Sequence, residues 1–457
     1  MAQSVGESLR SGGELHVVEA LARLLRHCRN HARVLDRALQ EAWLARGDAE
    51  PYRAEAARLV QAFEPPDDPE YFSEDELGTL ATFIEAAPTH EDGVTRARAL
   101  ATAIDERRAD HFFSWFATAC RPCHADDAVP VPASTVVGDE LGTTSGLVPP
   151  PDIVEVSPPA ALPLDGAAHL RLCPRDLGPL TLHYDGRFSS AIDDAAPDAA
   201  QIWAALAPTT RWDDQFTFDA RDDWFDNVRL KSTEAAPYRE RVRRLLGVAS
   251  EVEAGVVLLP ELSVDEATEA MVAEWFRTTT TARVVIAGSR HVADPEGRLL
   301  NRARIFVRGL GPDEVLFHAK FTAYETNGQV ERIARPNVVT VFGGRRWSFC
   351  PLICRDFLAP HARHLLQTIR VRAVLVAALT RKSQLFAEKA HGLAVDAQCL
   401  VFVANTPLEP GGHVAAFARP TREAAVAAKT VEVLGEVESV LAHVHTNGSS
   451  FKVFTIP

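Results

Sequence analysis

The chain has 457 residues, which is enough for two or three domains and for one large core of the α/β kind. Hydrophobic residues make up 46% of the sequence and charged residues 24%, as in an ordinary globular protein. The formal charge of −14 at pH 7 argues against a dedicated nucleic-acid binder, which is normally basic or carries a basic stripe.

Membrane and export signals are not visible in the sequence. No apolar run approaches the roughly 20 residues that a bilayer-spanning helix needs, and the longest candidate, "VRAVLVAAL" from Val371, is typical of a buried strand. The N-terminus lacks the apolar segment of a secretory signal, and seven cysteines in such a chain favour reduced thiols over a disulfide framework. These features predict a cytoplasmic protein without a membrane partner.

Residues 1–124 are predicted to form a small all-α bundle domain. From Glu14 to Ala119, apolar residues recur at three- and four-residue spacing, with arginines on the opposite face. The arginine-rich faces suggest a protein partner or nucleic acid as a candidate ligand. Interleaved acidic residues and the lack of a stacking platform argue against nucleic acid and favour solvated faces.

Residues 125–194 are predicted to be a linker followed by a connecting hairpin. The stretch "VPVPASTVVGDELGTTSGLVPPPDIVEVSPPAALP" is dominated by Pro, Gly, Ser and Thr, and "HLRLCPRDLGPLTLHY" is compatible with short strands. From residue 195 to residue 457, strand-like runs alternate with helical ones. This alternation indicates an α/β domain whose sheet is buried by helices on at least one side.

Three residues of the third segment stand where strand-like runs end. Glu261 follows "GVVLLP", Lys320 closes "EVLFHAK", and Cys354 closes "RWSFCPLIC" before a helical run. Open α/β sheets place their chemistry at the carboxyl ends of strands, and a thiol at a helix N-terminus is stabilised as thiolate. Each residue alone is also compatible with a structural role, as a solvated glutamate, a surface lysine and a buried cysteine. Cys350, inside the strand, is expected to fill space as a small hydrophobe.

In this order, "LLPEL", "FHAKF" and "LICRDF" resemble the Glu-Lys-Cys signatures of the nitrilase superfamily of carbon–nitrogen hydrolases. The resemblance extends over about Gln201–Pro457 and includes "IAGSRHV", "NRARIFV" and "LVFVANTP". It implies a four-layer α-β-β-α sandwich that pairs with a second copy through its outer layer. It also implies cleavage of a small-molecule amide, with nitriles and carbamoyl amides as variants, and no metal or organic cofactor.

The chemistry of the three side chains agrees with that resemblance. Attack on an amide carbon needs a thiolate, a base and a cation, which Cys354, Glu261 and Lys320 are expected to supply. Burial raises the pKa of a glutamate toward the range of a general base, and the backbone N–H of Arg355 is expected to help stabilise the developing charge. The predicted reaction is hydrolysis through a thioester. The alternatives are acyl transfer to an amine, or a catalytically silent, dimerising scaffold whose N-terminal bundle binds a partner protein.

The sequence departs from the superfamily pattern at two places. Many members carry a second glutamate shortly after the lysine, and Glu325 and Glu331 are both candidates here. We favour Glu325, and a solvated loop acid is the alternative for either. Arg355 replaces the usual tyrosine or tryptophan after the nucleophile, and a pair with Asp356 is favoured over contact with an acidic substrate.

A second constellation lies in the N-terminal segment, where "CRPCH" holds Cys120 and Cys123. With His27 and His31 on a predicted helix, these cysteines have the residue types of a tetrahedral zinc site. Only one Cys-x-x-Cys pair is present, and histidines on an arginine-rich face are usually solvated, so the prediction contains no metal site.

Overall fold

The computed structural model describes most of the chain. The described residues are 5–11, 13–32, 49–63, 70–108, 111–112, 115, 128–132, 170–174, 176–177, 180–195, 200–208, 212–311, 314–326, 328–344, 347–369, 371–397, 399–406, 413–418, 428–432, 439–445 and 451–456.

The chain divides into two compact units. The N-terminal unit comprises Met1–Thr135, Val156–Asp176 and Tyr184–Ser189, and the C-terminal unit comprises Val136–Glu155, Leu177–His183 and Ser190–Pro457.

The N-terminal unit is built mainly from helices. In its described part they are α1 Val5–Arg10, α2 Val17–Ala32, α3 Ala49–Ala62, α4 Glu74–Glu85 and α5 His90–Arg108. Two antiparallel strand pairs accompany them: β1 Leu15–His16 with β2 Tyr71–Phe72, and β3 Ala128–Pro132 with β4 Leu170–Pro174. Strands β1 and β2 lie within residues 1–124, so this segment is not purely helical as predicted, whereas β3 and β4 lie within the predicted linker and hairpin.

Helix α4 shows why the helices begin where they do. Ser73 caps it by accepting a hydrogen bond from the Glu76 backbone N–H, while the Glu76 side chain bonds back to the Ser73 N–H. Leu77, Leu80 and Ile84 follow at helical spacing and are buried.

The C-terminal unit is a mixed α/β structure. Its helices are α6 Ser189–Asp194, α7 Trp212–Gln215, α8 Ala235–Glu251, α9 Glu266–Thr278, α10 Pro360–Ile369 and α11 Ser383–Ala397. Its strands are β5 Asp176–Leu177, β6 Leu180–Asp185, β7 Ala200–Leu206, β8 Phe216–Ala220, β9 Trp224–Leu230, β10 Ala254–Leu258, β11 Val284–Ala293, β12 Leu299–Val307, β13 Leu316–Ala319, β14 Glu325–Thr326, β15 Gln329–Glu331, β16 Val338–Gly343, β17 Ser348–Ile353, β18 Ala373–Leu379, β19 Leu400–Thr406, β20 His413–Ala418, β21 Ala428–Glu432, β22 Ser439–His445 and β23 Phe451–Ile456.

Two large sheets form the core of this unit. One has seven strands in the order β13-β12-β11-β10-β7-β22-β23, and the other has eight in the order β21-β20-β19-β18-β17-β16-β6-β5. Strands β10 and β11 lie against β18, and Trp203 of β7 meets Phe402 of β19 with ring centroids 5.7 Å apart. Helices α8 and α9 contact the seven-stranded sheet, and α11 contacts the eight-stranded one.

The central strands of both sheets are parallel and apolar. Strand β10 pairs in parallel with β7 and β11, and β18 pairs in parallel with β17 and β19. Strands β10, β18 and β19 are buried along their whole length, as expected for parallel strands covered on both faces. Chains leaving β10 and β17 at their carboxyl ends carry Glu261 and Cys354, so strand direction brings both residues to one edge of the core.

A third, smaller sheet of this unit carries Glu331. It has four strands in the order β14-β15-β9-β8, and β15 pairs in parallel with β9. This pairing places Glu331 opposite Phe225.

Candidate active site

Cys354 occupies a strained turn directly after β17. Its backbone φ of 48° lies in the left-handed region, which residues other than glycine rarely adopt and which clusters at functional sites. The residue opens a 3₁₀ turn, Cys354–Leu358, and α10 begins only at Pro360. The thiol thus lies where a strand gives way to a 3₁₀ turn, and the α-helix expected there begins six residues later, at Pro360.

The Cys354 thiol is buried and surrounded by charged groups. The side chain is 1% exposed, and Sγ lies 3.7 Å from the carbonyl oxygen of Leu379. Burial raises the pKa of the thiol well above its usual value, the negative charge of Glu261 raises it further, and Lys320 opposes both. In the resting site the sulfur therefore keeps its proton.

Lys320 bridges two carboxylates in the same buried site. Its Nζ lies 2.6 Å from Glu261 Oε1 and 2.6 Å from Glu331 Oε2, and the residue is fully buried. Burial alone lowers the pKa of a lysine, but the charges of the two glutamates outweigh it and raise the pKa of Lys320 above its ordinary value. Lys320 is thus a permanent ammonium ion.

The loop that carries Glu261 is held by a glycine on the neighbouring strand. Gly288 of β11 has φ 77°, and a Cβ at that position would stand 2.6 Å from the carbonyl oxygen of Pro260. The Glu261 N–H also points to the Ala378 carbonyl oxygen at 3.4 Å. The loop therefore packs so closely on β11 that only glycine fits beneath it.

Glu261 is the carboxylate whose proton affinity is raised. Burial lifts its pKa above the ordinary value, the Lys320 charge opposes that shift, and the Glu331 charge adds to it. The interaction with the Cys354 side chain lowers the pKa of Glu261 and so opposes the shift caused by burial. The arrangement suits a group that takes a proton from the thiol and returns it.

Glu331 is the second glutamate of the site. Its carboxylate accepts hydrogen bonds from Asn301 Nδ2 at 2.8 Å and from the Tyr324 N–H at 3.0 Å, besides that from Lys320. Burial raises the pKa of a carboxyl group, but Lys320 and these donors hold the pKa of Glu331 well below its usual range. Glu325 lies exposed on β14, so the structure places Glu331 in the site and not the favoured Glu325.

Asn301 and His291 join the site from neighbouring strands. Asn301 Nδ2 also donates to Glu261 Oε1 at 3.0 Å, and His291 Nε2 lies 3.0 Å from Glu331 Oε1. Sequence reasoning did not assign either residue. Both stand within stretches quoted for the resemblance, "IAGSRHV" and "NRARIFV", but the contact of His291 with Glu331 joins residues 40 positions apart and cannot be read from either stretch.

Asp356 ties the nucleophile turn to the lysine segment. It accepts hydrogen bonds from the Thr322 N–H at 2.7 Å and the Phe321 N–H at 3.2 Å, and His318 Nε2 lies 3.2 Å away. Within the described part of the chain, no ion pair joins it to Arg355. The favoured Arg355–Asp356 pair is therefore wrong, because Asp356 is already engaged by three other partners.

Arg355 points toward the segment that follows Lys320. Its Nη1 donates to the Ala323 carbonyl oxygen at 3.3 Å, and the residue is half-buried. The structure therefore leaves the guanidinium beside the site without an ion-pair partner among the residues it describes.

The other cysteines of the C-terminal unit are structural. Cys350 and Cys399 are buried free thiols. Burial raises the pKa of both thiols, and their hydrogen-bond partners are backbone carbonyl oxygens, of Pro351 at 3.7 Å for Cys350 and of Leu393 at 3.9 Å for Cys399.

The alternative zinc site falls mostly outside the described residues. Cys120, Cys123 and the side chain of His31 belong to the part of the chain that the structure does not describe. His27 lies against His90, with ring centroids 6.0 Å apart. Where the structure does describe the chain, it contains no group of three or more His, Cys, Asp or Glu side chains arranged to hold a metal ion.

The helices were also compared with the length and hydropathy that a membrane crossing requires. None of those in the described ranges meets both conditions.

Known proteins similar to this chain are found through structure and not through sequence. No protein-family model and no curated protein sequence matches it. Solved structures do, including glutamine-dependent NAD⁺ synthetase from Acinetobacter baumannii, with 13% identity, a TM-score of 0.40, and coverage of 56% of this chain and 48% of that one. The chain thus spans about half the length of the synthetase.

Two further similar structures carry a nitrilase-superfamily description. Saccharomyces cerevisiae Nit3, a member of branch 10 of the superfamily, shares 15% identity at a TM-score of 0.39, over 54% of this chain and 91% of its own. A Nesterenkonia amidase of the superfamily shares 15% identity at a TM-score of 0.38, over 55% of this chain and 94% of its own.

Proposed function

We propose that the C-terminal unit is a thiol hydrolase that cleaves the C–N bond of a small-molecule amide, with nitriles and carbamoyl amides as variants. Cys354 is the nucleophile, Glu261 the general base and acid, and Lys320 the cation, on a four-layer α-β-β-α sandwich of the nitrilase superfamily. One observation carries the proposal. Three buried residues distant in sequence act on one another, since Lys320 Nζ lies 2.6 Å from Glu261 Oε1 and the charges of Glu261 and Lys320 both shift the pKa of the Cys354 thiol.

The first half-reaction forms a thioester. Glu261 removes the thiol proton as the sulfur of Cys354 attacks the amide carbon, and negative charge builds on the carbonyl oxygen. Lys320 and the backbone N–H of Arg355 stabilise that charge. The C–N bond then breaks, Glu261 returns its proton to the departing nitrogen, and ammonia or an amine leaves.

The second half-reaction restores the enzyme. Glu261, again a carboxylate, removes a proton from a water molecule that attacks the thioester carbon. The C–S bond breaks, the carboxylic acid leaves, and the proton held by Glu261 returns to the sulfur of Cys354. Because Lys320 stays an ammonium ion throughout, it acts by charge and not by proton transfer.

The pKa of Glu261 is the property that makes both halves possible. An ordinary carboxylate is too weak a base to remove a thiol proton at neutral pH. Burial raises the pKa of Glu261 and thereby narrows the difference between the pKa of this carboxyl group and the pKa of the Cys354 thiol. The nearby ammonium ion of Lys320 stabilises the thiolate as it forms.

Two alternatives use the same site differently. In acyl transfer, an amine and not water resolves the thioester, and the products distinguish the two reactions. An unassigned second glutamate would favour a silent scaffold, and the buried position of Glu331 instead supports the enzyme. Homodimer formation, a protein partner for the N-terminal unit and a cytoplasmic location remain predictions.

The proposal is tested by screening a panel of primary amides for ammonia release. The Cys354→Ala variant is compared with native protein and with Cys399→Ala, which removes another buried thiol of the same unit. We expect release of ammonia by native protein and Cys399→Ala and none by Cys354→Ala. Equal activity of all three proteins on every compound would remove the proposal's support.

A further inference from the structure

Three neighbouring strands present a row of hydrogen-bond donors to Glu331. His291 of β11 and Asn301 of β12 are directly opposite each other in the antiparallel pair, so their side chains share one face of the sheet. Lys320 follows β13, and its backbone N–H donates to the Asn301 carbonyl oxygen at 2.8 Å. All three side chains reach the Glu331 carboxylate.

The row is not shared equally between the two glutamates. Lys320 and Asn301 each contact Glu261 as well as Glu331. The His291 side chain contacts Glu331 and not Glu261 within the described residues. Two carboxylates and one ammonium ion together carry a net negative charge when both acids are ionised, so the site tends to bind one proton. The donors that contact only one of the two glutamates decide which carboxylate receives that proton.

The tautomer of His291 follows from its second contact. The backbone N–H of Val228 points to His291 Nδ1 at 3.1 Å, and a backbone N–H can only donate. Nδ1 must therefore be the unprotonated nitrogen, and the ring proton lies on Nε2, which faces Glu331 Oε1. A proton on Nδ1 would point at the Val228 N–H, so that two donors would face each other. The His291 side chain is only 1% exposed, so it is shielded from solvent.

The charged groups that face His291 are those of the site. They are Glu331 on β15 and, through the shared hydrogen bonds, Lys320 after β13 and Glu261 after β10. The sequence neighbour Arg290 alternates to the other face of β11, where it pairs with Glu269 at 3.0 Å.

We propose that His291 is a positioning residue that holds Glu331 as a fixed anion through its Nε2–H. Glu331 then remains the constant counter-ion of Lys320, and Glu261 becomes the carboxylate that exchanges a proton with Cys354. This inference rests on the proposed function, since it assigns a purpose to the proton on Glu261. It places His291 outside the chemistry itself, because the imidazole touches neither the sulfur nor Lys320.

The test measures the rate at which iodoacetamide alkylates Cys354 as a function of pH, in native protein, His291→Leu and His291→Gln. Leucine removes the donor, whereas the glutamine amide reproduces an N–H near the position of Nε2. Without the donor, Glu331 binds a proton more readily, and a protonated Glu331 no longer raises the pKa of Glu261. We therefore expect the acidic limb of the profile to move to lower pH by up to about one unit in His291→Leu, and to stay near the native position in His291→Gln.

Two controls keep the result decisive. His361→Leu alters an exposed histidine of α10 and is expected to leave the profile unchanged. A nitrogen NMR spectrum of ¹⁵N-histidine-labelled native protein needs no variant and is expected to show an unprotonated Nδ1 and a protonated Nε2 for His291. A His291→Leu profile that superimposes on the native one, or a protonated Nδ1, overturns the inference. Loss of turnover in Cys354→Ala is a separate result, so failure of His291 as a positioning residue and failure of the hydrolase proposal are distinguishable.

Discussion

The loop after β10 and strand β15 each bring a glutamate to Lys320, but the two carboxylates have different surroundings. Glu331 accepts hydrogen bonds from His291, Asn301 and a backbone N–H in addition to Lys320. Glu261 shares Lys320 and Asn301 with it and faces the thiol. The same residue type at nearly the same distance from one ammonium ion thus becomes a fixed anion in one place and a base in the other.

The difference teaches that burial alone does not define a general base. Both carboxylates are fully buried, and burial pushes the pKa of each upward. Donors reverse the shift at Glu331 and do not at Glu261. Variants that change the donors or the shared ammonium ion should therefore disturb the two carboxylates to different extents.

The largest effect is expected when Lys320 is replaced by methionine. Two buried carboxylates lose their shared counter-ion, which costs about 3–5 kcal/mol in the free energy of unfolding. Alkylation of Cys354 also slows, because Lys320 no longer stabilises the thiolate. Urea unfolding of Lys320→Met measures the loss. Lys389→Met, at an exposed position of α11, is the matched control and should stay within about 0.5 kcal/mol of native protein. Equal stability of both variants would show that the ammonium ion does not hold the site together.

A smaller and directional effect is expected for Glu331→Gln. Removing the Glu331 charge takes away one cause of the raised pKa of Glu261 and leaves Lys320 to Glu261 alone, so the pKa of Glu261 falls. The acidic limb of the Cys354 alkylation profile should therefore move to lower pH, in the same direction as in His291→Leu and at least as far. A limb that moves upward, or not at all, contradicts the division of roles between the two glutamates.

The smallest effect is expected for Glu325→Gln. This exposed carboxylate lies six residues before Glu331 and outside the site. Its replacement should change the free energy of unfolding by less than about 0.5 kcal/mol and leave the alkylation profile in place. A Glu325→Gln variant that behaved like Glu331→Gln would reverse the assignment of the second glutamate.

The part of the site that could be predicted from the sequence lies at strand ends. Glu261 and Cys354 follow apolar runs long enough to be parallel strands, and parallel strands deliver their carboxyl ends to one edge of a sheet. The position of a residue directly after a strand depends only on nearby sequence, so it can be predicted without knowing long-range contacts. In the structure, Glu261 lies 2.6 Å from Lys320 Nζ, and the Lys320 charge acts on the Cys354 thiol.

The choice between Glu325 and Glu331 depends on a long-range contact. Glu331 enters the site because β15 pairs with β9, which lies more than a hundred residues earlier in the chain. Nothing in "KFTAYETNGQVER" indicates that pairing. The same holds for Arg355 and Asp356, whose adjacency suggested an ion pair until the backbone N–H groups of Phe321 and Thr322 engaged the aspartate.

Domain organisation was predictable only in outline. The change from helical periodicity to alternating strands and helices marks the α/β segment correctly as a mixed structure. The proline-rich stretch hid strand β3, because Pro130 and Pro132 weaken a strand signal while β4 supplies a partner some 40 residues away.

One experiment, on native protein and Glu261→Gln, tests whether Glu261 is the base that activates Cys354. Both are treated with iodoacetamide at neutral pH, and the adducts on Cys354, Cys28 and Cys399 are followed by peptide mass spectrometry. We expect Cys354 of native protein to react faster than the two structural thiols by ~10²-fold or more, and this advantage to vanish in Glu261→Gln. Labelling of Cys354 at the same rate in both proteins, or no faster than at Cys28, would contradict the assignment of Glu261 as the base that activates this thiol.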